Sequence, residues 1–197
     1  MSRWIEAVGL QGTHVRMEPM TMAHREELGT AAADGELWKL WYTSVPDPQS
    51  LAAWMSAALR QREDTGAMPF VVRRTSDDRL IGATRYFNVA AEHRRLEIGH
   101  TFYSHSAHRS AANTETKLLL LTHAFEALGC VGVELRTHFM NDTSRRAIER
   151  LGAKLDGILR SHQVMPDGSL RDTCVYSILA TEWPAVRNNL AFRLSQS

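Results

Sequence analysis

The chain has 197 residues, 44% hydrophobic and 23% charged, a balance typical of globular proteins that excludes disordered, collagen-like and disulfide-scaffold classes. Twenty-three Lys and Arg stand against 22 Asp and Glu, a formal charge of +1. No global field therefore draws the chain to a nucleic-acid backbone or an anionic membrane, and neither is expected as a partner; a local basic pocket for a small anion is compatible with near-neutrality.

At this length a compact fold buries roughly 70% of the surface its unfolded chain exposes, enough for a core without metal or disulfide staples. Residues 1–197 are therefore expected to form a single domain. Cys130 and Cys174, the two cysteines, lie among apolar neighbours and read as buried reduced thiols, which fits a cytoplasmic location. The lead Met-Ser-Arg-Trp-Ile-Glu lacks the charged flank and apolar core of an export signal. No apolar run reaches the roughly 18 residues of a membrane span.

In chain order, residues 14–17 alternate as a half-buried strand that Pro19 ends. Apolar positions recur at helical spacing over 22–33, with Thr21 as N-cap. Residues 36–42 carry three aromatics ahead of the break at Pro46-Asp47-Pro48, and 47–62 reads as a second helix with Pro48 in its first turn and Leu51, Trp54, Met55 and Leu59 in one stripe. Segments 69–73, 80–89 and 96–103 have strand character and are joined by polar turns, as in an antiparallel meander. The strongest helical pattern spans 113–128 and closes at Gly129. A strand over 131–139, a helix over 142–151 closed by Gly152, a hairpin of 153–163 with 170–179 around Pro166-Asp167-Gly168, and a helix over 181–194 complete the chain.

A strand, a long helix and a strand in succession form a crossover unit, so 96–103 and 131–139 are expected to lie side by side in parallel. The rest of the sheet would be antiparallel. The expected class is α+β, a mixed, mostly antiparallel central sheet flanked by helices.

The chemistry is concentrated between Tyr103 and the 113–128 helix, in Ser104-His-Ser-Ala-His-Arg-Ser-Ala-Ala-Asn-Thr-Glu115. Small residues let a ligand approach the backbone, and the unpaired amides of a first helical turn attract anions. Arg109 adds a bidentate phosphate donor, and Ser110 and Thr114 add hydroxyls. The plainer alternative is an ordinary helix start with Asn113 as cap and Arg109 in solvent.

Three segments together carry a resemblance: Arg95-Leu-Glu-Ile-Gly99, His108-Arg-Ser-Ala-Ala-Asn-Thr-Glu-Thr-Lys117 and Asn141-Asp-Thr-Ser-Arg-Arg-Ala-Ile-Glu-Arg-Leu-Gly152. Gly157-Ile-Leu-Arg160, Asp167-Gly168 and Glu182-Trp183 extend it, so that it covers about residues 10–185. The chain resembles the GNAT superfamily of acyl-CoA-dependent N-acetyltransferases, in particular the ribosomal-protein N-terminal acetyltransferase branch. That family's loop usually reads Gln or Arg, two residues, Gly, one residue, Gly or Ala. Here His108, Ala111 and Asn113 hold those places. A methyl group at 111 would cost about 1 kcal/mol or more at positive φ and is tolerated at negative φ, which is the expectation.

The resemblance implies acetyl-CoA as donor and an amine as acceptor. Amides of the loop His108, Arg109, Ser110, Ala111, Ala112, Asn113 and Thr114 would cradle the pyrophosphate, and the main chain of Phe102 and Tyr103 would pair with the pantetheine arm between two splayed strands. Asn141 matches a cofactor-contacting Asn, and reads equally as the cap of the next helix; Arg145 would reach a phosphate. Glu97 matches the general base, against the alternative of a salt bridge with Arg94, Arg95 or Arg85. Ser144 matches the hydroxyl that protonates the thiolate, against a capping role.

His100, His105, His108 and His123 are numerous, but no spacing makes them a metal site, and none is expected. Trp38, Trp41 and Tyr42 either line an acceptor pocket or pack in the core. His138 either shares proton transfer with Glu97 or is a core histidine. Cys130 is a poor nucleophile, so direct transfer to a protein N-terminus or a small amine is expected. The rival is an acyl-CoA-binding or dimeric module without turnover. The 153–179 hairpin is a candidate homodimer surface.

Overall fold

The computed structural model describes residues 4–196; Met1, Ser2 and Arg3, part of the lead read for an export signal, lie outside them, as does Ser197. Strands β1 (Leu10–Gln11), β2 (Val15–Pro19), β3 (Met68–Arg74), β4 (Leu80–Ala90), β5 (Arg95–Tyr103), β6 (Gly132–His138), β7 (Lys154–Val164) and β8 (Leu170–Leu179) form one sheet in the order β1-β2-β3-β4-β5-β6-β8-β7. Every neighbouring pair is antiparallel except β5 and β6, which the crossover helix α3 (Ala112–Thr122) joins in parallel. This is the α+β arrangement expected from the order of elements.

Helices cover both faces, and the alternation of one strand shows how. On β3, Phe70 and Val72 join the core built with α3 and α5 (Trp183–Ser195), which includes Leu120, Leu121, Ala124, Val186 and Leu190. Val71, between them, joins a second core with α1 (Arg25–Ala33) and α2 (Leu51–Thr65), through Leu28, Ala31, Met55 and Ala58. A strand buried on both faces reads as a continuous apolar run, as Met68–Val72 does. No helix among the described residues is long and apolar enough to cross a membrane.

Several boundaries differ from the sequence pattern for identifiable reasons. The first helix opens with a 3-10 turn, Met22–His24, whose N-cap is Thr21 as expected; the Thr21 amide donates to His24 Nδ1 at 3.1 Å. Residues 36–42 hold only a 3-10 turn at Leu37–Lys39, entered through Glu36 at φ +46°. Pro48 stands before α2, in a turn closed by the Gln49 and Ser50 amides donating to Asp47 Oδ1 at 2.8 and 2.7 Å. Helix α3 starts one residue early, with Ala111 rather than Asn113 at its N-cap. Its far end runs into a π turn, His123–Ala127. Strand β1 is two residues long, too short for periodicity to mark.

One buried carboxylate joins the edge of the sheet to α3. Glu115, 6% exposed, accepts the amides of Thr13, His14 and Val15 at 2.9, 2.6 and 2.7 Å, so the β1–β2 turn hangs on the first turn of the helix. A Cβ on Gly12 would stand 2.5 Å from the Glu115 Cδ, so this glycine is required by close approach. Charge-assisted bonds of this kind contribute about 1.5–3 kcal/mol each, and removal of the acceptor strands three amides. Glu115→Ala is expected to lower stability by at least about 2 kcal/mol in urea titration, and Gly12→Ala to move it in the same direction; an unchanged midpoint in both would disprove the tie.

Candidate active site

The loop before α3 is fixed from below by the end of α1. The His105 amide donates to the Asp34 carbonyl at 2.9 Å and the Ser106 amide to Asp34 Oδ2 at 3.1 Å; the Ser106 hydroxyl and amide together hold the Asp34 carboxyl below its usual range. Ser110 Oγ donates to the Ala107 carbonyl at 2.7 Å and accepts the Ala112 amide at 3.3 Å. Arg109 takes φ +57° while Ala111 takes φ −63°, so the left-handed residue is Arg109 and the methyl of Ala111 meets no backbone obstacle. Among the described residues the amides of Arg109, Ser110, Asn113 and Thr114 donate to no backbone carbonyl. They form the open end of α3, where partial positive charge gathers. Arg109 is exposed, whereas His108 turns back so that Nε2 lies 3.2 Å from the Tyr103 carbonyl.

Beside this loop the sheet opens. β5 and β6 share register only from Arg95–Gly132 to Glu97–Glu134, so residues 98–103 of β5 have a strand partner only in β4. Irregularities in β4–β5 pairing and a left-handed His100, φ +50°, bend β5 away. The ion pair of Arg95 with Glu134, 3.2 Å, marks the closed end of the wedge. Phe102 is buried against Trp54 of α2, ring centroids 5.9 Å apart, and Tyr103 is buried in the opposite core.

Glu97 sits where the strands part, 4% exposed. Its partners are neither Arg94 nor Arg95: Asn88 Nδ2 donates to Oε2 at 2.9 Å, and Arg136 Nε of β6 stands 3.4 Å away. Desolvation outweighs both and raises the pKa of this carboxyl. Arg136 is shared, with Nη2 bound more closely to Glu134 at 2.8 Å.

Across the opening stands α4 (Asp142–Leu151). Asn141 is its N-cap, Oδ1 accepting the Ser144 amide at 3.0 Å, so the capping alternative holds for Asn141, and the Ser144 amide is its donor. Arg145 is turned inward, its guanidinium 4.8 Å over the Phe139 ring and its Nε donating to the Tyr176 hydroxyl at 3.3 Å. His138 is buried, accepts the Met140 amide on Nδ1 at 3.0 Å and keeps Nε2 without a partner. Trp41, 54% exposed, packs edge-on against that imidazole at 5.1 Å, which places it on the wall of the opening rather than in the core. Arg171 of β8 completes the group; desolvation lowers its pKa, and its charge is felt by Glu97, His100 and His138. Among the described residues no three His, Cys, Asp or Glu side chains are grouped as metal ligands would be.

A family model, the acetyltransferase (GNAT) domain, matches residues 14–154. The chain belongs to the GNAT acetyltransferases. A relative in Bacillus subtilis, the uncharacterized N-acetyltransferase YoaA, is 28% identical over 131 residues, 66% of this chain and 72% of that protein. The crystal structure of a putative acetyltransferase from T. thermophilus is 34% identical, covers 97% of this chain and 99% of its own, and superposes with a TM-score of 0.83. Mycobacterium smegmatis RimJ in complex with CoA-disulfide shares the fold, at 22% identity over 95% of this chain and 93% of its own, TM-score 0.77.

In this GNAT chain several residues of the opening escape a reading of sequence: Asn88, Arg136, Arg171 and Asp34. Each acts from a different element, and only Arg136 had a visible signal, a charged residue alternating with apolar ones on the crossover strand. Lys117 is another. It is 5% exposed on α3, donates to Thr101 Oγ1 at 2.9 Å, and burial pulls its pKa from 10.5 down to about 7. A depressed lysine is charged in both folded and unfolded chains below about pH 7, where the desolvation cost is complete, and stability rises as pH climbs from about 7 toward 10.5. Lys117→Met is therefore expected to raise the melting temperature most below pH 7, with the gain shrinking by pH 10; a gain independent of pH would contradict the buried charge.

Proposed function

We propose that this GNAT protein transfers the acetyl group of acetyl-CoA directly to an amine. The observation that carries the reading is the position of the β5–β6 opening, with the free amides at the start of α3 on one side of it and a desolvated carboxylate, Glu97, at its base. Phosphates suit the α3 amides and Arg109, and an amide-bearing pantetheine arm suits the unpaired edge of β5, as a peptide adds to a sheet edge. The CoA-disulfide bound by the RimJ relative is in keeping with this.

In the proposed reaction the acceptor loses a proton toward Glu97, directly or through water, and the neutral nitrogen attacks the thioester carbonyl. The C–N bond forms, the C–S bond breaks, the departing thiolate takes a proton from Ser144, and the second proton that the nitrogen sheds as the amide forms restores the Ser144 hydroxyl. Burial raises the pKa of Glu97, which makes it a stronger base than a solvated carboxylate while leaving it ionisable. Cys130 is buried, and desolvation raises its thiol to about 11, which supports direct transfer over a covalent acyl-cysteine. The rival, a binding module without turnover, rests on His108 and Ala111 in place of the family's loop residues; the negative φ at Ala111 accommodates its methyl group, which supports a loop able to hold the cofactor.

Calorimetry with acetyl-CoA and a thiol-release assay against amines and N-terminal peptides test the reading. Binding and release with at least one acceptor are expected; absence of binding at millimolar cofactor would end it. In wild type, kcat/KM should fall as pH drops through the raised pKa of Glu97. Glu97→Gln should flatten that limb and lower the rate about 10²-fold or more near pH 7, with recovery as the amine deprotonates at high pH. Arg109→Ala should raise the KM for acetyl-CoA several-fold and leave the acceptor KM in place; the opposite split would move Arg109 out of the phosphate site.

A further inference from the structure

The middle of β4 carries a cation that the surrounding protein does not neutralise. Arg85 interrupts a buried run, Leu80–Tyr86, and is 3% exposed. Nη1 donates to Gln61 Oε1 of α2 at 2.7 Å and the guanidinium lies 4.8 Å over the Trp54 ring. Nε and Nη2 are buried without a partner, and among the described residues no carboxylate stands within ion-pair distance. Burial brings the pKa to about 10, so the group stays charged at neutral pH. An unpaired buried charge is costly, and the usual remedy is an anion on the open donors.

The location of that anion follows from the register. Arg85 is paired with Gly99, and Phe87 with Glu97, so Arg85 and Glu97 are diagonal neighbours on the face that looks toward α2. Such neighbours are about 7–8 Å apart. His100 lies beside them, half-buried, its ring 4.8 Å from that of Phe87 and its buried Nδ1 lacking a partner. Its pKa is pulled down to about 4, first by burial and then by Arg85 and Arg171. Arg171 likewise forms no ion pair among the described residues, and its one side-chain donation is to Thr173 Oγ1 at 3.0 Å. The side of the opening next to Glu97 thus holds surplus positive charge and donors without partners, while its two carboxylates are both engaged, Glu97 by Asn88 and Arg136 and Glu134 by Arg95 and Arg136.

We propose that the acceptor amine carries its own carboxylate, held by the free Nε and Nη2 donors of Arg85 beside His100, with its amino group directed to Glu97. Those two nitrogens form one side of the guanidinium fork, which matches both oxygens of a carboxylate. The inference rests on the acyltransferase reading of the same site and narrows its acceptor to a carboxylate-bearing amine, either a free amino acid or a chain that begins with Asp or Glu.

Matched acceptors test it on the wild-type protein. Thiol release is measured for free amino acids against their carboxamides, and for peptides beginning with Asp or Glu against those beginning with Asn or Gln. At least one carboxylate series should be favoured about tenfold or more in kcat/KM, mostly through KM; the first pair identifies a free amino acid and the second an acidic N-terminus. Arg85→Gln should bring that ratio close to one. Amides that react as well as acids in both series, or discrimination that survives Arg85→Gln, would overturn the proposal. If Arg85→Gln does not fold, the wild-type acid-to-amide ratios decide alone. Calorimetry with N-acetylated acids against N-acetylated amides needs no turnover: acid-selective binding without thiol release from any amine would refute the transferase and keep the carboxylate site, whereas turnover with no acid preference would do the reverse.

Discussion

The site depends on hydrogen bonds that β5 and β6 do not make. Parallel strands joined by a crossover helix ordinarily pair along their length, and here pairing ends after Glu97–Glu134. What holds the wedge is local: left-handed backbone at His100, irregular β4–β5 register, and an ion pair of Arg95 with Glu134 at the closed end. Unpaired peptide groups at a sheet edge are a template for another extended chain. The same divergence sets the start of α3, the base of the cleft at Glu97 and the start of α4 around one opening.

Around that opening, charges are buried at a cost to the fold. Glu97, Arg85 and Lys117 all have pKa values displaced toward their neutral forms, with desolvation as the leading cause in each. A core made for stability alone would replace them with apolar residues of similar size. Concentrated in one stretch of β4, β5 and α3, they mark the part of the molecule in which packing yields to chemistry.

The order of elements and the parallel crossover were legible because helices and strands here bury different periods, and Gly129 and Gly152 punctuate them. Asn141 was legible as a cap because its chemistry is local. The partners of Glu97 were not. Arg94 and Arg95 are nearer in sequence, yet Arg94 lies in the turn before β5 and Arg95, on the same face as Glu97, is paired with Glu134, so it is β6 that brings Arg136 into range. The cap of α3 was misplaced at Asn113 for a related reason: the loop before it is held by Asp34, over 70 residues away, so local cap preference did not decide where the helix begins. Arg85 gave no signal of its depth, since an arginine in an apolar strand is as consistent with an edge as with a centre.

The Asp34 contacts have a further consequence. Asp34 ends α1, one of the two helices covering the face that bears Glu97 and Arg85, and its carbonyl and carboxylate both hold the loop that leads to α3. A displacement of α1 by an occupant of that face would be passed through these two bonds to His105 and Ser106, and along the loop backbone to the amides at the start of α3. By linkage, whatever orders those amides would favour the same position of α1. The two ends of the cleft are thus tied to one another through the end of α1 and the loop that precedes α3.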